Sequence, residues 1–140
     1  MTNQGAARGQ SDVATTGSEK REARTLTGPA RDFNLADEIA SLKSEPSWQQ
    51  SDRNSRTLVH EPQLRIIVSV MKAGARLHEH RTDGAVSIQT IQGHLRLGIG
   101  QDAVDLPQGR LVAIEPGVTH ELDAIDESAF ILTVAWPTGT

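Results

Sequence analysis

The chain has 140 residues, and 14 Lys and Arg against 18 Asp and Glu give it a formal net charge of −4 at pH 7. This acidic balance, with its basic residues scattered, excludes the basic footprint of a nucleic-acid-binding protein. No apolar run approaches the roughly 20 residues of a membrane span, and the N-terminus lacks the apolar stretch of a secretory signal. We therefore expect a soluble, cytoplasmic protein with no nucleic-acid or membrane partner.

The absence of cysteine limits the chemistry that the chain can carry. It excludes disulfides, thiolate metal ligands and cysteine nucleophiles. Any bound metal must be held by nitrogen and oxygen ligands.

Residues 1–31 are predicted to be a disordered tail. Small polar and charged residues dominate this segment, and Val13 and Leu26 are its only large aliphatic residues after Met1. Such a segment buries too little apolar area to offset the entropy lost on ordering. The alternative is an arm that orders on a partner chain.

Residues 32–56 are predicted to hold one short amphipathic helix followed by a connector. Asn34 suits the N-cap and Pro46 ends the run, so the helix is expected from about Leu35 to Ser44. Trp48 to Arg56 is interpreted as a polar connector. The apolar residues at near-helical spacing are Phe33, Leu35, Ile39 and Leu42.

Residues 57–140 are predicted to form one all-β domain. Short runs rich in Val, Ile, Leu and Thr alternate with turn signals about every 8 to 12 residues, a pattern typical of a sandwich or barrel. The predicted strands are 57–60, 64–71, 76–80, 85–91, 94–99, 103–106, 110–114 and 128–134.

Three histidines are the candidate metal ligands. Residues two apart on a strand point to the same face, so His78 and His80 are expected to share a cavity that His120 could complete. Neutral imidazole binds Fe, Zn, Mn and Ni, so three such ligands define a class of site without naming the metal.

Two stretches of the chain resemble the motifs of the cupin family. Gly74 to Gly93 is similar to the first motif, in which a Gly, a His-x-His pair, a carboxylate and a second Gly lie along two strands. Gly109 to His120 is similar to the second, with a Gly, an apolar strand, Pro-Gly and a closing His. The resemblance covers about Leu58 to Trp136. It implies a double-stranded β-helix, or jelly-roll barrel, with the site inside its mouth.

The first motif lacks the carboxylate that metal-binding members of the family usually carry. Counted from the second histidine its place is Gly84 or Ala85, and counted back from the closing glycine it is Val86. Asp83 and Gln89 are the candidate replacements. Asp83 suits an Asp-Gly turn. Gln89 is three residues from Val86, so the alternation of a regular strand places the two side chains on opposite faces.

Two classes of function remain open at this point. In the first, the three histidines hold Fe, Zn, Mn or Ni in an oxygenase or isomerase that acts on a small molecule. In the second, the chain is a non-catalytic cupin that binds a small ligand with no metal. Small cupins resemble one another in dimerising, so we expect a homodimer to which Phe33 to Val59 contributes.

Overall fold

The structure is a computed structural model and describes residues 28–137. The chain divides after Asp32 into two units, and the helices and strands lie in the second, from Phe33 onward. Of the tail predicted to be disordered, residues 1–27 lie outside the described residues.

Two helices precede nine strands in the described part of the chain. The elements are α1 (Leu35–Lys43), α2 (Pro46–Gln50), β1 (Arg53–Glu61), β2 (Leu64–Met71), β3 (Arg76–His80), β4 (Ala85–Gln92), β5 (His94–Ile99), β6 (Asp102–Pro107), β7 (Leu111–Ile114), β8 (His120–Ala124) and β9 (Ser128–Ala135).

The helical segment contains one more helix than predicted. α1 begins as expected, because the side-chain oxygen of Asn34 accepts a hydrogen bond of 3.1 Å from the backbone N–H of Asp37. Residues 46–50 then form α2, where a polar connector was predicted from Trp48. Pro46 both ends the first helical run and starts the second, because the first helical position needs no backbone N–H.

The strands form two antiparallel sheets. One has five strands in the order β1-β2-β9-β4-β7, and the other has four in the order β3-β8-β5-β6. The predicted all-β jelly-roll architecture with a short N-terminal helix is confirmed. β1 begins at Arg53, earlier than the predicted start at residue 57. β8 was not predicted, because His120–Ala124 contains no β-branched residue.

The space between the two sheets holds the larger apolar core. Its buried members include Met71, Ile88, Leu97, Leu122 and Phe130, which come from both sheets. The sheets are also joined by a hydrogen bond in this core. Buried Thr90 on β4 donates its hydroxyl to the carbonyl oxygen of Leu106 on β6 at 2.9 Å.

A second core lies between the helices and the outer face of the five-stranded sheet. Ile39, Leu42 and Trp48 pack there against Val68 and Val70 of β2. The intervening β2 residues face the other sheet, as expected from the two-residue period of a strand. Alternate residues of β2 thus belong to two different cores.

Ion pairs hold the helices to β1 at the edge of this second core. Arg56 on β1 contacts the carboxylates of both Glu38 and Glu45. Asn54, on the same strand, donates to the Glu45 carboxylate and to the carbonyl oxygen of Leu42, each at 3.0 Å. The helix pair is therefore fixed by polar contacts as well as by burial.

Candidate functional site

A cavity of about 370 Å³ lies between the two sheets. This volume falls in the range of small-molecule pockets. Its wall is mainly apolar, and side chains from β3, β4, β8 and β9 contribute to it. Apolar residues in the lining include Leu77, Val86, Ile88, Phe130, Leu132 and Val134.

Two of the three predicted histidines meet at this cavity. His80 on β3 and His120 on β8 are Cα partners in the sheet, and both line the cavity. Their ring centroids lie 6.3 Å apart with an interplanar angle of 24°. His120 is buried, with 6% of its surface exposed, whereas His80 is exposed to solvent.

A backbone contact fixes the orientation of the His120 ring. Its Nδ1 lies 3.2 Å from the carbonyl oxygen of Val118. A carbonyl can only accept, so we assign the proton to Nδ1, which leaves Nε2 as the hydrogen-bond acceptor of the neutral ring.

His78 does not line the cavity, and a β-bulge explains why. Leu77 pairs with Leu122 and His80 pairs with His120, so one extra residue of β3 lies between these two pairs. Leu77 and His80 both line the cavity although they are three residues apart, so the bulge brings His80 to the face of Leu77 and leaves the exposed His78 outside the lining. The expectation that His78 and His80 share a face assumed a regular strand.

Thr82, two residues beyond His80, lines the cavity instead of His78. Its hydroxyl is 2.9 Å from the carbonyl oxygen of Gly84 and 3.1 Å from the backbone N–H of the same residue. Within residues 28–137, no group of three or more His, Cys, Asp or Glu is arranged to hold a metal ion. The lining offers two histidines, Thr82 and Glu121, and these do not form the three-histidine site predicted from the sequence.

Arg65 on β2 was not predicted as a residue of the site, although it lines the cavity. Its guanidinium carbon lies 5.4 Å from the centroid of the Trp136 ring. One terminal nitrogen is 3.2 Å from Nε2 of His60, and the Nε atom is buried with no partner in the described structure. The sequence signal is an arginine inside the apolar run Leu64–Met71, on the same strand face as Ile67 and Ser69.

Comparison with known proteins identifies the fold. No protein-family model matches the sequence, and no curated protein matches it. A solved cupin superfamily protein from Desulfitobacterium hafniense superposes with a TM-score of 0.59 at 13% identity, over 61% of this chain and 78% of that one. The cupin domain of Cnp3 from Schizosaccharomyces pombe gives 0.59 at 18% identity, over 64% and 68%. The chain has a cupin fold.

A longer cupin-fold neighbour is an enzyme. Salicylate 1,2-dioxygenase from Pseudoaminobacter salicylatoxidans, solved with gentisate, superposes with a TM-score of 0.69 at 13% identity. The match covers 81% of this chain but only 35% of the dioxygenase. At such identity the likeness concerns the fold, and one fold carries many functions.

The structure shows what occupies the three positions at which the first motif could carry its missing carboxylate. Gly84 is buried, and a Cβ there would lie 2.7 Å from the carbonyl oxygen of Ala135, so this position has no room for a side chain. Ala85 is exposed, whereas Val86 is buried and lines the cavity. In this cupin barrel an apolar side chain therefore lies where a carboxylate could face the cavity.

Neither candidate replacement for that carboxylate lines the cavity. Gln89 is exposed, three residues from Val86 on β4, as strand parity indicated. Asp83 accepts a hydrogen bond of 2.7 Å from Nε1 of Trp136. The carboxylate of Asp83 thus positions an aromatic wall of the cavity rather than a metal.

The described residues contain no helix long and apolar enough to cross a membrane.

Proposed function

We propose that this cupin-fold chain binds a small, largely apolar molecule in the cavity between its sheets. The observation that carries the proposal is the pair His80 and His120, two imidazoles that face one another in an otherwise mainly apolar wall. Apolar pockets with a few convergent polar groups are the usual form of small-molecule sites. This is the non-catalytic alternative that the sequence left open.

The histidine pair provides the polar contacts of the proposed complex. His120 presents an acceptor nitrogen, because its other ring nitrogen is engaged by Val118. His80 has no hydrogen-bond partner among the described residues, so both of its ring nitrogens are available to a ligand. A molecule with a hydroxyl, carbonyl or N–H group next to an apolar body can form hydrogen bonds with these nitrogens and pack against the apolar wall.

Metal binding by His78, His80 and His120 stays a prediction, and the placement of His78 speaks against it. Catalytic zinc sites have three protein ligands, whereas two of these histidines meet in the cavity. One observation favours a metal nevertheless. Metal-ligating histidines usually donate their other ring N–H to a carbonyl or carboxylate, as His120 does to Val118.

Binding of the neutral fluorescent dye N-phenyl-1-naphthylamine tests the proposal. We expect saturable binding of one dye per chain that is lost in Ser69→Phe, because Ser69 lines the cavity. Ser87→Phe is the matched control, since Ser87 lies on β4 between the inward residues Val86 and Ile88 and does not line the cavity. Absence of dye binding in the native protein, or equal loss in both variants, contradicts the proposal.

Metal analysis of untagged protein separates the two candidate functions. We expect much less than one Fe, Zn, Mn or Ni per chain, and no saturable uptake when Zn(II) or Fe(II) is added. About one metal per chain that is lost in His78→Ala and in His120→Ala would establish the three-histidine site and overturn the metal-free proposal.

We also propose that the chain forms a homodimer. Phe33, in the segment predicted to contribute, is 37% exposed, whereas Ile39, Leu42 and Trp48 of the same segment pack within the chain. Light scattering at micromolar concentration tests the proposal, and a monomer would contradict it.

A further inference from the structure

We propose that the ligand is a small monocarboxylic acid with an apolar body, and that Arg65 receives its carboxylate. This inference rests on the proposed function, because it assigns a ligand class to the same cavity. Arg65 is the one Lys or Arg among the described residues that line the cavity. The lining also contains the carboxylate of Glu121, so Arg65 is the permanently charged cation there with which the single negative charge of an otherwise apolar molecule can pair.

The position of Arg65 allows it to contact a ligand inside the cavity. It lies near the start of β2, opposite His60 on β1 and Val134 on β9. It lines both the cavity and an adjoining open groove that includes His60, Glu61 and Trp136. The guanidinium therefore lies where the apolar cavity meets a more polar opening, which suits a ligand with one apolar and one charged end.

The buried Nε of Arg65 indicates that its inward position is costly without a ligand. In the described structure this donor has no hydrogen-bond partner and is shielded from solvent. Buried donors are almost always paired in folded proteins, and leaving one unpaired is unfavourable. An arginine extended into water would pay no such cost. A carboxylate bound to the terminal nitrogens of the guanidinium would offset this cost with charge-assisted hydrogen bonds.

Trp136 holds the guanidinium in place for this role. The Arg65 guanidinium carbon lies 5.4 Å from the Trp136 ring centroid, within the range of a cation–π contact. The Trp136 ring is itself fixed, because its Nε1 donates to the carboxylate of Asp83 at 2.7 Å. This contact favours one placement of the guanidinium at the edge of the cavity, where an anion can bind it. Less side-chain entropy is then lost on binding.

Different groups of the lining would thus recognise different parts of one molecule. Arg65 binds the carboxylate, the apolar wall contacts the body, and His80 with His120 contacts any further polar group. A neutral analogue of the same shape retains the apolar contacts but loses the charge-assisted hydrogen bonds.

Competition between octanoate and octanamide tests the charge requirement. Each is titrated against the N-phenyl-1-naphthylamine complex of the native protein, of Arg65→Gln and of Arg65→Lys. Arg110→Gln is the matched control, because Arg110 is exposed outside the cavity and its substitution changes the net charge equally. Phenylacetate and phenylacetamide form a second acid–amide pair, which tests whether the apolar body is aliphatic or aromatic.

We expect an acid to displace the dye at least about tenfold more strongly than its amide, as charge-assisted hydrogen bonds imply. Arg65→Gln should abolish this difference, Arg65→Lys should retain part of it, and Arg110→Gln should leave it unchanged. Equal displacement by acid and amide in the native protein overturns the Arg65 proposal. So does an acid preference that survives in Arg65→Gln. In both cases dye binding still supports a small-molecule cavity, whereas failure of the dye itself to bind refutes the proposed function.

Discussion

His80 and His120 are opposite each other on neighbouring strands with their ring centroids 6.3 Å apart, whereas His78, two residues from His80, does not line the cavity. The bulge between Leu77 and His80 produces this difference. A bulged strand places the two residues of a His-x-His pair on different faces, although a regular strand would align them. The histidines should therefore differ in their effect on ligand binding.

Replacing His120 by Ala should weaken dye binding, whereas replacing His78 should not. The N–H of N-phenyl-1-naphthylamine can donate to an imidazole nitrogen, and a lost neutral hydrogen bond is worth about 0.5–1.5 kcal/mol, or roughly threefold to tenfold in affinity. Fluorescence titration measures the change. Urea denaturation of both variants checks that each is folded. A larger loss in His78→Ala than in His120→Ala would contradict the position of His78 outside the cavity.

The double variant Thr82→His/Val86→Glu should gain metal binding. Both positions line the cavity together with His80 and His120, so the variant offers three imidazoles and one carboxylate to the same space. Titration with Zn(II) should reveal about one site per chain that is absent from the native protein. Thr82→His/Gln89→Glu is the control, because Gln89 lies outside the cavity. Equal metal binding by both double variants would contradict this geometry.

Thr90→Val should destabilise the fold by about 1–2 kcal/mol, because it removes a buried hydrogen bond and leaves the Leu106 carbonyl without this donor. The substitution changes the side-chain volume little, so the cost is polar rather than steric. Thr57→Val on exposed β1 is the control and should change the free energy of unfolding much less. Urea denaturation measures both. Similar effects at the two positions would exclude a special role for the link between the sheets.

Gly93→Ala should be more destabilising than Gly109→Ala. Both glycines have positive φ, 87° and 90°, which costs an L-residue roughly 1–2 kcal/mol. At Gly93 the added Cβ would also lie 2.3 Å from the carbonyl oxygen of Glu127, whereas at Gly109 nothing lies within 4 Å. Overpacking adds about 1–3 kcal/mol at Gly93 alone. Thermal or urea unfolding that ranks the two variants equally would contradict the close approach.

Glu45→Gln should make stability less dependent on pH in the acid range. A hydrogen bond from Asn54 and the neighbouring Arg56 hold the pKa of Glu45 below its ordinary value, so the unfolded chain binds the proton more readily. The stabilisation is present above the unfolded-state pKa and is lost as the pH falls through the lower folded-state pKa. Comparing urea midpoints at about pH 7 and about pH 3 measures this loss.

The matched control for this pH effect is Glu115→Gln, which changes an exposed carboxyl of similar chemistry. Its pH dependence should follow that of the native protein. If the stability of Glu45→Gln depends on pH as strongly as that of the native protein, the contacts of Glu45 with β1 do not contribute to the pH dependence.

The cupin architecture could be predicted from the sequence because turn residues, apolar alternation and two motifs all indicated the same sheets. The sequence did not predict β8 and α2, because neither segment shows the residue pattern by which such an element is recognised. His120–Ala124 has no β-branched residue and is a strand through its pairing with β3 and β5. Pro46–Gln50 is too short for a helical period to be recognised, and burial of Trp48 against the sheet stabilises it.

The sequence predicted where the site lies but not all of the residues that form it. The motifs indicated the cavity, and His80 and His120 lie in it. A single extra residue in β3 separates the faces of His78 and His80, and nothing in the residue types there signals a bulge. Arg65 was overlooked because an arginine next to β-type residues resembles a solvated surface position until the pairing of its strand is known.

The helical layer on the outside of the five-stranded sheet could allow the cavity lining to vary without loss of the fold. β2 and β9 pack on their outer face against a core whose residues do not line the cavity. Their inward residues therefore contribute less to the stability of the fold. Ser69 and Arg65 can then occupy positions that a sheet with only one core would fill with aliphatic side chains. Selectivity in the cavity can then vary while the folded state is maintained from the opposite face.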